Sequence, residues 1–108
     1  MAIRTIPKKV KEEVNDIVAR FNSEEMSNPY YSYIARFKGK YLFLDRKESG
    51  QTGPICRLEY TGKMDSWGFA IYKYSWGDYS PDEFFFPGEN LVDGTVRGAM
   101  LCGLEAYY

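Results

Sequence analysis

Two neighbouring segments constrain the fold more than any other feature of the chain. Tyr30–Phe37 and Lys40–Arg46 are rich in aromatic and other β-forming residues, and only Lys38-Gly39 separates them. A two-residue loop that contains glycine is typical of a tight β-hairpin. These segments therefore predict two adjacent antiparallel strands, and the rest of the fold has to bury one face of that hairpin.

The predicted turn also sets the register of the hairpin. It places Ala35 opposite Leu42 and Tyr33 opposite Leu44, and residues that face each other lie on the same side of the sheet. The more apolar side is assigned to the core and carries Tyr31, Tyr33, Ala35, Phe37, Leu42 and Leu44. The opposite side carries Ser32, Ile34, Arg36, Tyr41, Phe43 and Asp45.

The middle of the chain predicts further strands. A polar loop over Lys47–Gly53 leads into a third strand at about Ile55–Tyr60, and a fourth follows at about Trp67–Tyr74. Both sides of the fourth strand are apolar, so the pattern leaves open which side is buried. Ser75–Asn90 contains prolines and glycines and is expected to be irregular, with a short edge strand at Glu83–Phe86.

Helical periodicity appears at both ends of the chain. Apolar residues recur at spacings of four, three and four from Val10 to Phe21, which predicts a helix over about 6–22. A second helix is expected over about 92–107, capped by Asp93 or Asn90. We therefore predict a single α+β domain over 1–108, with both helices on one face of a four-stranded antiparallel meander and room for a short fifth edge strand.

Composition excludes several classes of function. The chain contains no histidine, which removes the commonest general base and metal ligand. No glycine-rich phosphate loop is present, so no metal and no cofactor are predicted. Carboxylates, lysine, tyrosine and cysteine can still transfer protons, so the missing histidine does not exclude an enzyme. A non-enzymatic protein is nevertheless the favoured prediction. A net charge of −1 argues against a protein built mainly to coat nucleic acid.

The candidate contact residues are mostly aromatic. Aromatic residues make up 18% of the chain, and on the outer side of the sheet two of them accompany arginines. These outer-side candidates are Arg36, Tyr41, Phe43 and Arg57. Either they bind a partner, or the aromatic stretch Trp76–Phe86 or a second subunit covers them, and covering is the favoured alternative. That stretch is itself either a lid over the core or a contact surface, with Trp76, Tyr79, Phe84 and Phe85 as its candidates.

Small residues in the second predicted helix offer another contact. Gly94, Gly98 and Cys102 share one side of that helix, which would suit a close helix–helix contact in a homodimer. Packing of the helix on its own sheet is favoured over this dimer.

Together these features favour a non-enzymatic protein-interaction module, with self-association as one option. The first alternative is a small-molecule-binding protein or enzyme with a pocket under the 76–86 stretch, where Tyr72, Tyr74, Asp45 or Glu59 supply polar contacts. The second alternative is a protein that binds single-stranded nucleic acid on the outer sheet face. The balance of acidic and basic residues makes nucleic acid a less favoured partner than protein. Two isolated cysteines and an N-terminal stretch interrupted by lysines predict a cytoplasmic location without membrane contact.

Overall fold

The computed structural model describes residues 4–26, 30–81 and 86–107. Two helices lie beside a five-stranded antiparallel sheet in which each strand pairs with the next one along the chain. In chain order the elements are helix α1 (Lys8–Glu24), strands β1 (Tyr31–Lys38), β2 (Tyr41–Glu48), β3 (Gln51–Glu59), β4 (Gly68–Lys73) and β5 (Asp78–Ser80), a 3-10 turn (Glu89–Leu91) and helix α2 (Val96–Ala106). The predicted α+β order of helix, antiparallel meander and helix is confirmed.

The β1–β2 hairpin has the predicted faces but not the predicted register. Ala35 lies opposite Leu44 rather than Leu42, and Lys38 pairs with Tyr41. The two-residue loop is therefore Gly39-Lys40, and Gly39 has φ +59°, as the first central position of a type II′ turn requires. Because the register differs by two residues, every side chain keeps its face. The core side is confirmed by the burial of Leu42 and Leu44.

The expected polar loop over Lys47–Gly53 is wrong, because β2 and β3 continue to a two-residue turn. Ser49 and Gly50 both have positive φ, 50° and 91°, the conformation of a type I′ hairpin turn. Further along β3 the register shifts, so that Leu44 pairs with Cys56 while Asp45 pairs with Pro54. This β-bulge makes Ile55 the extra residue, and Ile55 and Cys56 are both buried although they are consecutive.

The register of β4 decides which of its two apolar sides is buried. Phe69 pairs with Leu58 and Ile71 pairs with Cys56, so both lie on the core side, while Ala70 pairs with Arg57 on the outer side. A fifth edge strand exists at Asp78–Ser80, and the edge strand expected at 83–86 falls largely on residues that the structure does not describe. Residues 82–85 lie outside the described residues. The described part of the segment from 75 to 90, which was expected to be irregular apart from one short edge strand, contains β5 and the 3-10 turn.

Helix α2 begins later than predicted, and its cap is Thr95 rather than Asp93 or Asn90. The Thr95 hydroxyl accepts a hydrogen bond from the Gly98 N–H at 3.0 Å, which satisfies one of the free donors of the first turn. The Asp93 carboxylate in turn accepts from the Thr95 hydroxyl and N–H. These hydrogen bonds lower the pKa of Asp93.

Both helices pack on the core side of the sheet, as predicted, and they meet at Tyr33 of β1. The Phe21 ring of α1 lies edge-on to the Tyr33 ring at 5.6 Å between centroids. The Tyr33 hydroxyl donates to the Met100 carbonyl of α2 at 2.8 Å. The buried core around this contact includes Val14, Val18, Leu42, Leu44, Cys56, Leu58, Ile71, Val96 and Ala99. In the ranges that the structure describes, no helix is long and apolar enough to cross a lipid bilayer.

The free edge of β1 is closed by a side chain from α1. Asn22 donates from Nδ2 to the Tyr33 carbonyl at 3.0 Å and accepts from the Tyr33 N–H at 2.8 Å. The amide thereby occupies the place of a neighbouring strand at this point of the edge. Exposed strand edges invite pairing with another chain, so Asn22 both stabilises the α1–β1 contact and protects the edge.

We expect Asn22→Ala to lower the free energy of unfolding by about 1–3 kcal/mol, because it leaves the Tyr33 N–H and carbonyl without their partner. Asn15→Ala is the matched control, since Asn15 is an exposed residue of the same helix. It should change stability by less than about 0.5 kcal/mol. Urea unfolding followed by circular dichroism measures both. Equal effects of the two substitutions would show that the Asn22 contacts do not stabilise the fold.

Candidate functional site

The outer face of the sheet, opposite both helices, carries a cluster of arginine and aromatic side chains. Arg36, Phe43 and Arg57 come from three adjacent strands and lie in one row, because Phe43 pairs with Arg36 on one side and with Arg57 on the other. Tyr41 lies two residues before Phe43 on β2, and Tyr79 reaches the group from β5. We call these five residues the outer-face cluster.

Guanidinium groups stack on the rings of the outer-face cluster. The Arg36 guanidinium carbon lies 4.7 Å from the centroid of the Phe43 ring. That of Arg57 lies 4.7 Å from the Tyr41 ring and 5.4 Å from the Tyr79 ring. Each such contact contributes about 0.5–1 kcal/mol at an exposed site. The stacking holds both arginines flat against the sheet.

The Tyr79 ring lies across the outer side of the sheet. On the same side of β4, Ala70 pairs with Arg57 of β3 and is buried. The Tyr79 ring contacts Tyr72 of the neighbouring strand at 5.1 Å and reaches Phe43 of β2 at 5.5 Å.

The arginines of the cluster differ in their polar partners. Arg36 donates from Nε to the buried Asp45 carboxylate at 2.7 Å, and this hydrogen bond raises the pKa of Arg36. Arg57 is half-buried and contacts two rings, but within the described part of the chain it has neither an ion pair nor a hydrogen bond. The five N–H donors of its guanidinium are therefore available to a ligand.

A shallow depression of about 620 Å³ opens beside Arg57, at the end of the face where β1 turns into β2. The described residues of its lining include four cationic side chains, two rings and no carboxylate, and are Arg4, Lys38, Gly39, Lys40, Tyr41, Phe43 and Arg57. Glu59 is not part of this lining but, with Tyr41 and Arg57, lines an adjoining depression of about 190 Å³, and its carboxylate is 3.7 Å from the Lys40 ammonium. The outer face thus has a positively charged, partly aromatic corner.

The structure brings together the four outer-side candidates Arg36, Tyr41, Phe43 and Arg57, with Tyr79 from the aromatic stretch. It places Trp76 elsewhere, in the β4–β5 turn, where the side chain is 67% exposed and Lys73 lies 4.4 Å from its ring centroid. Phe84 and Phe85 lie outside the described residues. Sequence reasoning missed Lys38 and Lys40, although their position on either side of the turn glycine was a usable signal.

The three small residues that were candidates for a helix–helix contact lie against other parts of this chain. Gly94 precedes the helix with φ +88°, and a Cβ there would collide with the Asp65 carbonyl. A Cβ on Gly98 would lie 2.7 Å from the Leu91 carbonyl oxygen. Cys102 is fully buried. The space that a second helix would need at these three positions is therefore occupied by the chain's own residues.

Two pockets lie on the other side of the molecule, near the end of α2. The first, of about 360 Å³, is lined by Arg46, Glu48, Gln51, Thr52, Gly53, Ile55, Tyr74 and Tyr107. The second, of about 380 Å³, lies between Tyr74, Phe86 and Tyr107. Of the polar contacts suggested for a small-molecule pocket, Tyr74 lines both, whereas Tyr72, Asp45 and Glu59 line neither. Burial raises the pKa values of Tyr74 and Tyr107.

The first pocket contains a buried guanidinium. The Arg46 side chain is only 6% exposed and lies 2.6 Å from the Glu48 carboxylate. It also donates to the Gly103 carbonyl of α2 at 3.4 Å. Unlike Arg57, this arginine has its donors engaged by the protein itself.

No protein-family model matches the chain, and no curated protein and no solved structure matches it either. Across residues 4–26, 30–81 and 86–107, no three acidic or cysteine side chains gather closely enough to hold a metal ion. The outer-face cluster can bind planar and anionic groups through its guanidinium and ring faces. At neutral pH it is poorly suited to proton transfer, because the pKa of Arg36 is raised and burial raises that of Tyr79.

Both thiols are buried and neutral. Cys56 is fully inaccessible, and burial raises its pKa strongly. Burial, followed by the Glu105 carboxylate, raises the pKa of Cys102 to about 11. Since the thiolate is the nucleophile, neither cysteine is a reactive group in the folded protein.

We expect the folded protein not to react with the thiol reagent DTNB at about pH 8, because both raised pKa values and burial keep the thiols protonated and inaccessible. The control is the same sample in guanidinium chloride, where Cys56 and Cys102 should both react at once. Absorbance of the released thiolate measures the reaction. Rapid labelling of either residue in the folded protein, assigned with Cys56→Ala and Cys102→Ala, would contradict this expectation.

Proposed function

We propose that this protein is a non-enzymatic protein-interaction module whose outer sheet face contacts a partner protein. The observation that carries the proposal is the outer-face cluster, which is held on rigid strands and which neither helix covers. Arginine and tyrosine are enriched in protein interfaces and dominate their binding energy. A cytoplasmic location belongs to the same proposal, and its support is that Cys56 and Cys102 are free thiols.

The geometry of the sheet edges supports binding through the face. Asn22 occupies the β1 edge at Tyr33, and β5 at the other edge is only three residues long. Both features are typical of edges that are protected from strand addition. A partner therefore meets the side chains of the outer-face cluster and not the backbone of an edge strand.

The partner that we favour is a different protein and not a second copy of the chain. A two-fold axis through the middle of the outer face would bring Arg57 against its own copy. Like charges at the centre of an interface are unfavourable unless acids separate them. Self-association is the competing option, and a dilution series distinguishes the two.

Site-specific photocrosslinking tests the proposal. A benzoylphenylalanine at Ile34, an outer-face residue that is 36% exposed, should form crosslinks in cells that the same group at Lys9 of α1 does not form. The crosslinked protein is then purified and titrated against the chain. Arg57→Glu should weaken binding by at least about tenfold, whereas Lys9→Glu should not change it. Equal crosslinking at both positions, or binding that Arg57→Glu leaves intact, would overturn the proposal.

Light scattering over a dilution series shows whether the partner is a second copy. We expect a monomer at all concentrations. A dimer that Arg57→Glu dissociates would identify the outer face as a self-association surface and would exclude a foreign partner as the main occupant.

The 360 Å³ pocket supports a second candidate function, the binding of a small polar molecule. Its support is the polar lining of this pocket, to which Arg46, Glu48, Gln51 and Thr52 contribute. A fragment screen by NMR should yield ligands that shift the amide signal of Gly53, which lines this pocket. The amide of Gly39, which lines the outer depression, is the matched control. If no ligand shifts Gly53 selectively, this second function is excluded.

A further inference from the structure

We propose that the depression beside Arg57 recognises an acidic segment of the partner protein through one of its carboxylate side chains. This inference rests on the proposed function and names the chemistry of the partner. The guanidinium of Arg57 would bind the carboxylate, while Lys38 and Arg4 at the rim would attract neighbouring acidic residues.

The first argument is that Arg57 is held in place but has no polar partner among the residues that the structure describes. Its guanidinium lies between the Tyr41 and Tyr79 rings at 4.7 and 5.4 Å. Other arginines of the chain engage carboxylates, as the pairs Arg36–Asp45, Arg46–Glu48 and Arg97–Glu25 show. A stacked guanidinium presents its donors in a fixed fork that matches the two oxygens of a carboxylate.

The second argument is charge complementarity. Among the described residues the depression has four cations in its lining and no carboxylate, although the chain as a whole has a net charge of −1. One of these cations, Lys40, pairs with Glu59, whereas Arg4, Lys38 and Arg57 have no ion pair with another described residue. The positive charge is therefore local, and an acidic ligand compensates it.

A peptide fits this corner better than single-stranded nucleic acid does. Nucleic-acid platforms stack bases on free aromatic faces. Here guanidinium groups lie over the rings of Tyr41, Phe43 and Tyr79. The cations also gather at one end of the face, whereas a phosphate backbone needs a continuous positive track.

The experiment uses three fluorescent probes and the full chain. The probes are a short peptide of alternating glutamate and leucine, the same peptide with glutamine in place of glutamate, and a single-stranded oligonucleotide of the same net charge as the first. Fluorescence anisotropy at low salt measures binding. We expect the glutamate peptide to bind, its affinity to fall as salt is raised, and the glutamine peptide to bind at least about tenfold more weakly.

Variants locate the contact. Arg57→Gln should weaken binding of the glutamate peptide by about tenfold, and Arg57→Lys should recover only part of it, because lysine keeps the charge but not the fork. Lys9→Gln on α1 is the matched control for a lost positive charge and should have no effect. The amide spectrum of each variant shows that the fold is intact, and the Nε signal of Arg57 should shift when the glutamate peptide is added.

Each contrary result overturns this inference. Equal binding of both peptides would show that carboxylates are not recognised. Unchanged binding by Arg57→Gln would place the contact elsewhere. Tighter binding of the oligonucleotide would make nucleic acid the ligand. If none of the probes binds, the acidic partner is excluded, while crosslinking at Ile34 still decides separately whether the outer face is a protein interface.

Discussion

The close approach of α2 to the sheet at Gly103 is the contact on which the rest of the structure depends. The Tyr33 hydroxyl and the Ile55 side chain occupy the space where any Cβ at this position would lie. Polar groups fasten the same contact, since Tyr33 donates to the Met100 carbonyl and Arg46 to the Gly103 carbonyl. The β-bulge at Ile55 turns two consecutive buried residues towards the helices. Because both helices are thereby held on one side, the other side of the sheet is left to meet solvent or a partner.

The outer face shows how a sheet can carry large aromatic side chains without presenting a plain apolar patch. Arg36 and Arg57 lie over the rings of Phe43 and Tyr41, so polar groups cover part of the apolar surface. The edges of the sheet are protected by other means, an asparagine at β1 and a very short strand at β5. Both features direct association to side chains on the face, where charge and shape can select a partner. This division between protected edges and a structured face is the physical basis of the proposed function.

The sequence predicted part of the candidate site for a simple reason. Side chains alternate along a strand, so Tyr41 and Phe43 share a side with Arg36 of the paired strand. This holds in the predicted register and in any register that differs from it by an even number of residues. The contribution of Tyr79 was not predictable in this way, because it depends on how β5 pairs with β4, which places Tyr79 opposite Tyr72. The cationic depression likewise depends on the true turn, which places Lys38 and Tyr41 opposite each other. Turn type and strand order are long-range outcomes that local patterns do not contain.

By itself, the sequence determined the two helices, the antiparallel hairpin with its core side, and the α+β class, because helical and strand periodicities are local properties. The tertiary structure alone decided the buried side of β4, since both of its sides are apolar and only pairing with Cys56 and Leu58 distinguishes them. It also decided the bulge at Ile55 and the use of Asn22 as an edge partner, which join residues distant in the chain. Finally, it placed Arg57 against the rings of Tyr41 and Tyr79 with no carboxylate partner in the described part of the chain, a relation that emerges only when the strands come together.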